Sequence, residues 1–174
     1  MEEKDGELVE RARRGDEQAF AALYRRYRDW AASLALRFCG DRDEALDVLQ
    51  ETFAYFFRRL PSFELRAQLK TFLYPVVKHI ALNRKRARRS PAPAAEPAVQ
   101  PPDSAIDHLL GGLSEAHREV VCMRFVDGLD LAEIAEALEI PIGTVKSRLH
   151  HAIAELRRRK SVNLPAPARA EGVE

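Results

Sequence analysis

Residues 91–102 read PAPAAEPAVQPP, five prolines in twelve positions with Glu96 as the one charge. Proline has no backbone N–H to donate, and its ring clashes with the preceding turn of a helix. The stretch is therefore neither a helix nor a central strand. It reads as an extended, semi-rigid linker over 91–108, and it divides the 174-residue chain into two small units. The flanking segments read as helices, because no sustained alternation of β-branched residues is found. The expected fold class is all-α: two small helical domains, 1–90 and 109–160, the second with a helix-turn-helix. The tail, 161–174, has two further prolines and no periodicity, and reads as disordered.

Four helices are expected before the linker. A short one over 7–14 stops at Gly15. Asp16 caps a long one over 17–37, with Phe20, Leu23, Tyr27, Trp30 and Leu34 at three- and four-residue steps. Asp41 with Glu44 makes a capping box for a third helix that runs to Leu60 and is stopped by Pro61. Its core stripe is read as Leu46, Leu49, Phe53, Phe56, Phe57 and Leu60. A fourth helix runs from about Ala67 into the basic run RKRARR, residues 84–89. After the linker, residues 109–113 read as a short helix, and Ser114 caps a helix over 115–126 that ends at Asp127-Gly128. Asp130 with Glu133 forms a second capping box, opening a helix over 131–138. A turn at 139–141 leads to a last helix from Ile142 to about Arg159.

These last two helices have helix-turn-helix proportions. The first lies in DGLDLAEIAEALE, residues 127–139, with five acids and no base, whereas IPIGTVKSRLHH, residues 140–151, turns basic. Ala135 suits a close helix approach, and Ile134, Leu138 and Ile140 can face a core. In the last helix Val145, Leu149, Ile153 and Leu156 form one stripe. At about 100° per residue, Gly143, Ser147 and His151 point away from it. Thr144 and His150 lie beside them, and Lys146 and Arg148 flank this face. Small groups facing a groove floor, with cations at its walls, suit a helix in duplex DNA. A helix N-terminus also offers N–H groups to a phosphate. The acidic helix then reads as a solvent-facing support; an amphipathic bundle helix with mixed surface charge is the plainer alternative.

The net charge of +1 conceals an asymmetry. Residues 1–90 hold nineteen cations against fourteen acids, and residues 64–90 hold eight cations against one acid. Local basic charge is what phosphate neutralisation uses. In that segment Phe63, Phe72 and Tyr74 are interleaved with Arg66, Lys70, Lys78, His79, Asn83, Arg84 and Lys85. Rings that stack on unpaired bases beside cations that track a backbone suit single-stranded DNA; packing of Phe72 or Tyr74 into the core is the competing reading. In the third helix Asp47, Gln50, Glu51 and Ala54 share a face at i, i+3, i+4, i+7, either a docking patch or a solvated surface.

Cys39 and Cys122 have no CxxC partner and no His at metal spacing, so both read as buried free thiols in a reducing compartment. No apolar run approaches 18 residues and the N-terminus lacks a basic-then-apolar signal, so no membrane span or secretory leader is expected. His151 and Glu155 lie four apart, and His150, His117 and His108 could join them as metal ligands. With no HExxH, no nucleophile–base pair and no phosphate loop, no enzyme, metal or cofactor is expected.

Both halves resemble the extracytoplasmic-function (ECF) sigma factors of bacterial RNA polymerase. The first half carries GDEQAFAALYRRY, DEALDVLQETFAYFFRRLPSF and FLYPVVKHIALN, and the second LSEAHREVVCMRFVDGLDLAEIAEALEIPIGTVKSRLHHAIAEL. The resemblance covers roughly 5–89 and 109–159. It implies that Asp47, Gln50 and Glu51 dock on the clamp helices of the polymerase β′ subunit. It further implies that the loop 62–66 and the helix after it capture the unstacked strand of the minus-ten promoter element. The second domain would read the minus-thirty-five element and contact the β flap, and the linker would pass near the RNA exit path. Core RNA polymerase, promoter DNA and an anti-sigma factor are the implied partners, in the bacterial cytoplasm. A helix-turn-helix regulator that binds duplex DNA without polymerase is the alternative; it leaves Asp47, Gln50 and Glu51 without a role.

Five positions depart from the family pattern. Phe72 stands where Trp is frequent and His79 where Asn is usual. Pro75 falls within a helix and should kink it or force a later start. Glu139 replaces a turn Gly, where a left-handed conformation costs roughly 1 kcal/mol. Pro141 replaces a capping Ser and offers no side-chain cap. Together they point to an unusual promoter sequence or a weakened promoter grip.

Overall fold

The computed structural model describes residues 3–65, 67–89 and 110–159. The linker over 91–108, the tail over 161–174, Arg66 and His108 lie outside them. Among the described residues the secondary structure is helical, with no strand. The helices are α1 (Asp5–Arg13), α2 (Glu17–Cys39), α3 (Arg42–Arg59), a 3-10 turn (Leu60–Ser62), α4 (Leu69–Arg89), α5 (Glu115–Phe125), α6 (Leu131–Ala137) and α7 (Ile142–Arg159).

Local chemistry sets the boundaries. Asp16 accepts from the Gln18 and Ala19 N–H groups at the head of α2, and Gly40 closes that helix in the left-handed region at φ 73°. Asp41 caps α3 through the Glu44 N–H at 2.9 Å. The Glu44 carboxylate is turned toward Arg84 and Arg88. Asp130 and Glu133 form the reciprocal capping box of α6, at 2.8 and 2.7 Å. Of the short helix expected over 109–113, Leu109 lies outside the described residues; Leu110 is helical, and Gly111-Gly112 form a turn with Gly112 at φ 87°.

Helix α2 packs on α1, α3 and α4, and α3 packs on α4, forming the first unit. Leu8, Leu23, Leu34, Val48, Phe56, Leu73 and Val77 fill its core. The α3 stripe is turned from the expected one. Ala45, Val48, Leu49, Thr52, Phe53 and Phe56 are buried, while Leu46 and Phe57 are 46% and 58% exposed. Both lie on one edge of the stripe centred on Leu49 and Phe56, 60–80° from Leu49 at about 100° per residue. They fall at the rim of the arc that α2 and α4 cover, where Phe57 still meets Phe20 of α2.

Pro75 neither ends α4 nor delays its start. The helix is continuous from Leu69, with Pro75 on its exposed side. The prediction of a later start fails because a buried stripe of Leu69, Leu73, Tyr74, Val77 and Ala81 holds both sides of the proline in register. Burial of several large side chains, each worth roughly 1.5–3 kcal/mol, outweighs the cost of about 3 kcal/mol for an interior proline.

In the second unit α5 and α6 pack on α7, and the core is built from Val120, Met123, Leu129, Ile134, Val145 and Ala152. Ala152 joins Val145 and Leu149 in the α7 stripe, with Ile153 and Leu156 half-buried at its edge. The acidic helix α6 is not a solvent-facing support alone, because it also packs against α4 of the first unit. Glu133 is buried, since its carboxylate closes the capping box.

Candidate functional site

The turn between α6 and α7 positions the candidate reading helix. Glu139 takes φ 53°, the left-handed conformation the sequence requires there. Its N–H donates to Glu136 at 3.1 Å, and the Ile140 N–H donates back to Ala135 at 3.0 Å. This is the paired closure in which a left-handed residue ends a helix and reverses the chain. The Pro141 carbonyl then accepts the Thr144 and Val145 N–H groups at 2.8 and 3.2 Å, so the proline opens α7 through its backbone.

With Val145 and Leu149 anchored in the core, Gly143, Lys146, Ser147, His150 and His151 are exposed, and Thr144 and Arg148 are half-buried beside them. The Ser147 hydroxyl donates to the Thr144 carbonyl at 3.2 Å. His151 also stacks on His117 of α5, ring centroids 6.3 Å apart, and meets His150 edge-on at 5.7 Å. His151 thus has a neighbour on the protein as well as a face to solvent. Among the described residues no group of three or more His, Cys, Asp or Glu is placed to hold a metal ion.

On α3, Asp47, Gln50, Glu51 and Ala54 are all exposed, on the side opposite the core. Arg84 of α4 reaches this face. Its guanidinium lies 3.0 Å from Asp47 and 3.4 Å from both Glu51 and Glu44. The residue that the resemblance implies for single-stranded DNA therefore sits on the acidic patch.

Phe63 and Phe72 come together, with ring centroids 4.6 Å apart. Phe56 lies beneath them at 5.3 and 5.8 Å. Tyr55 stacks on Phe72 at 6.3 Å and carries Arg59 over its own ring at 5.8 Å. A shallow recess opens here between Arg59, Ser62, Phe63, Glu64 and Phe72. Tyr55 and Arg59 escaped the sequence reading because they precede the loop on a helix read for its core and its acids. Their i, i+4 spacing was the available signal. Tyr74, by contrast, is 2% exposed. Burial and the neighbouring Glu119 hold its phenol protonated well beyond the ordinary range.

Lys70, Tyr74 and Lys78 step by four along one side of α4 and meet the second unit. The Lys70 ammonium donates to the Asp127 carbonyl at 2.7 Å, and Tyr74 and Lys78 donate to Glu119 at 3.0 and 2.5 Å. The Asp127 carboxylate is 2% exposed. Both its oxygens accept from Arg37 at 2.7 Å, and one accepts from the Trp30 indole at 2.9 Å. His79 and Asn83, both exposed, bond to each other at 2.8 Å. They line a groove with Glu51, Tyr55, Pro75 and Arg84.

The comparisons with known proteins bear on this arrangement. The family model "Sigma-70 region 2" matches residues 23–90, and "Sigma-70, region 4" matches residues 109–158. The RNA polymerase sigma-H factor of Pseudomonas aeruginosa is 32% identical over 87% of this chain and 91% of its own length. The ECF sigma-E factor of Escherichia coli is 31% identical, covering 85% and 90%, and ECF sigma factor SigW of Bacillus subtilis is 27% identical, covering 86% and 93%. Among solved structures, CnrH in complex with the cytosolic domain of CnrY has the same fold, with TM-score 0.71 at 22% identity over 92% of this chain and 99% of that one. The sigma factor RpoE of Bartonella quintana, solved with the anti-sigma factor NepR, gives 0.59 at 23% identity over 79% and 93%. Two helical units carrying the region 2 and region 4 patterns in that order, over nearly the full length of such relatives, place this chain in the ECF group of the sigma-70 family of RNA polymerase sigma factors.

Proposed function

We propose that this alternative sigma factor, which directs transcription initiation, divides promoter recognition between its two helical units. In the first unit Asp47, Gln50 and Glu51 dock on the clamp helices of the polymerase β′ subunit. Phe63, Phe72 and the cations Arg66, Lys70 and Lys78 capture the unpaired minus-ten strand, with His79 and Asn83 at its edge. Tyr55 and Arg59 join this set through their contact with Phe72. In the second unit Lys146, Arg148 and the Gly143–Thr144 end of α7 hold phosphates of the minus-thirty-five duplex, while Ser147, His150 and His151 face the base edges. This unit also meets the β flap. The single observation that carries the reading is the exposed face of α7, which presents small groups between two cations while Val145 and Leu149 anchor its back.

Phosphodiester chemistry belongs to the polymerase, so the chain itself needs neither catalytic residue nor cofactor. An anti-sigma factor is the regulatory partner proposed on family grounds, as is a cytoplasmic location. No helix among the described residues is long and apolar enough to cross a membrane. Run-off transcription with core polymerase tests the proposal. Added protein should give discrete starts on genomic fragments that core alone does not use. A regulator that binds DNA without polymerase would give none.

A further inference from the structure

The proposed function gives His117 no part, yet this residue touches the reading face. It is the third residue of α5, and its N–H donates to the Ser114 hydroxyl at 3.3 Å, so the cap that starts the helix also fixes where His117 stands. Val120 and Val121, three and four residues on, are buried, and α5 packs on α7. Residues at that spacing share one side of a helix, which turns His117 toward α7. Its ring stacks on His151, with centroids 6.3 Å apart and planes 22° from parallel, within the range of offset aromatic pairs. The His117 Nδ1 atom is buried and has no hydrogen-bond partner among the described residues. The ring therefore contributes its flat face and not a hydrogen bond through that nitrogen. Glu155, one turn beyond His151, is taken by Arg159 at 2.6 Å. His150 meets the His151 ring edge-on, with planes 78° apart. His151 is thus bracketed by one imidazole from α5 and one from its own helix.

We propose that His117 is a positioning residue for promoter reading: its ring fixes the plane of the His151 imidazole, so that α5 as well as α7 sets base discrimination on the minus-thirty-five duplex. The inference rests on the proposed assignment of His151 to the base edges. A neutral imidazole carries one N–H donor and one acceptor nitrogen in the plane of its ring. One base edge differs from another in where its donors and acceptors lie. A ring that turns freely bonds the right edge only after losing that freedom, and ordering one such side chain costs roughly three- to tenfold in affinity. The stack on His117 orders the ring before DNA arrives, so this cost is not met on binding. The gain goes to the sequence that His151 can bond and to no other, so it is read as discrimination. Phosphate contacts through Lys146 and Arg148 do not depend on it.

The test uses the full chain, a duplex that it selects from a pool of randomised DNA, and the single-base-pair variants of that duplex. His151→Ala first marks the base pair at which preference is lost. At that pair His117→Ala should lower the ratio of affinities between the selected duplex and its variants by roughly three- to tenfold. Its affinity for an unrelated duplex should stay within about twofold, because phosphate contacts supply non-specific binding. His117→Phe keeps a flat ring against His151 and should restore the ratio to within about twofold of the parent chain's. Should His117→Ala lose helix content, His117→Leu carries the test: it fills the site without a flat face and should lose the same discrimination. Unchanged discrimination, a loss that falls equally on every duplex, or failure of His117→Phe to restore the ratio overturns the positioning role. Failure of the α7 reading would show separately: the parent chain would select no sequence, or His151→Ala would lose no preference, and the inference would fall with it.

Discussion

The guanidinium of Arg84 on α4 lies 3.0 Å from the Asp47 carboxylate on α3, and within 3.4 Å of Glu51 and Glu44. One cation thus lies among three acids, two of which belong to the patch proposed to dock on polymerase. Charge already neutralised within the protein attracts DNA weakly. Arg84→Ala should therefore weaken binding to single-stranded DNA less than Lys78→Ala does, measured in a Glu119→Gln background where Lys78 has lost its acidic partner. Because the pair is surface-exposed, the substitution should change stability by no more than about 1 kcal/mol in urea unfolding. A larger loss of strand binding for Arg84→Ala than for Lys78→Ala would return this residue to the DNA site.

The corrected face of α3 makes a sharp contrast between adjacent phenylalanines. Phe56 is fully buried and touches the rings of Phe20, Phe63 and Phe72. Phe57 is 58% exposed, with its ring edge against Phe20 at 5.2 Å. Phe56→Ala should cost about 3–5 kcal/mol in chemical denaturation, and Phe57→Ala about 1 kcal/mol or less, as expected of surface substitutions. Equal losses would mean that the helix face is misplaced.

Much of the fold is legible in the sequence. Asp16, Asp41, Ser114 and Asp130 each announce a helix start because a side-chain oxygen must meet an N–H a few residues on. The helix-turn-helix follows from the spacing of Val145 and Leu149 and from the positive φ that Glu139 adopts. The edges of apolar stripes are less legible. Leu46 and Phe57 are apolar and near the stripe, and only the width covered by α2 and α4 decides that they stay exposed. That α4 starts ahead of Pro75 is not legible either, because the sequence reveals a lost hydrogen bond but not the burial that outweighs it. Contacts between the units were not legible at all. Asp127 reads as a helix end and Glu119 carries no assignment, and no local pattern pairs them with residues 41 to 97 positions away.

Glu139 holds the left-handed turn without the freedom of glycine. Glu139→Gly should raise the stability of the second unit by about 1 kcal/mol, because the side chain no longer opposes φ 53°. The gain should appear as a later midpoint in thermal unfolding followed by far-ultraviolet circular dichroism. No gain would indicate that unfolded-chain entropy cancels the relief.

Burial pushes the thiols of both Cys122 and Cys39 up from their ordinary range. A raised value leaves less thiolate at neutral pH, and the thiolate is the reactive form. Reaction with a thiol reagent at pH 7 should be slow for both, and slower for the buried Cys122 than for half-buried Cys39. The rates should climb as pH rises past the value of a free cysteine. Reaction of Cys122 at the free-thiol rate near neutrality would show that its surroundings open readily.

The central claim is that one exposed acidic face makes this chain a polymerase subunit and not merely a DNA-binding protein. The most direct measurement is retention on immobilised core RNA polymerase of the parent chain and of the triple variant Asp47→Lys, Gln50→Lys, Glu51→Lys. All three side chains are exposed, so the variant should fold and should still bind duplex DNA through α7. The account predicts that the parent chain is retained and that the triple variant is lost, with affinity down by at least about a hundredfold, as expected when like charges replace complementary ones across an interface. Equal retention of the two, or no retention of the parent chain, would contradict it.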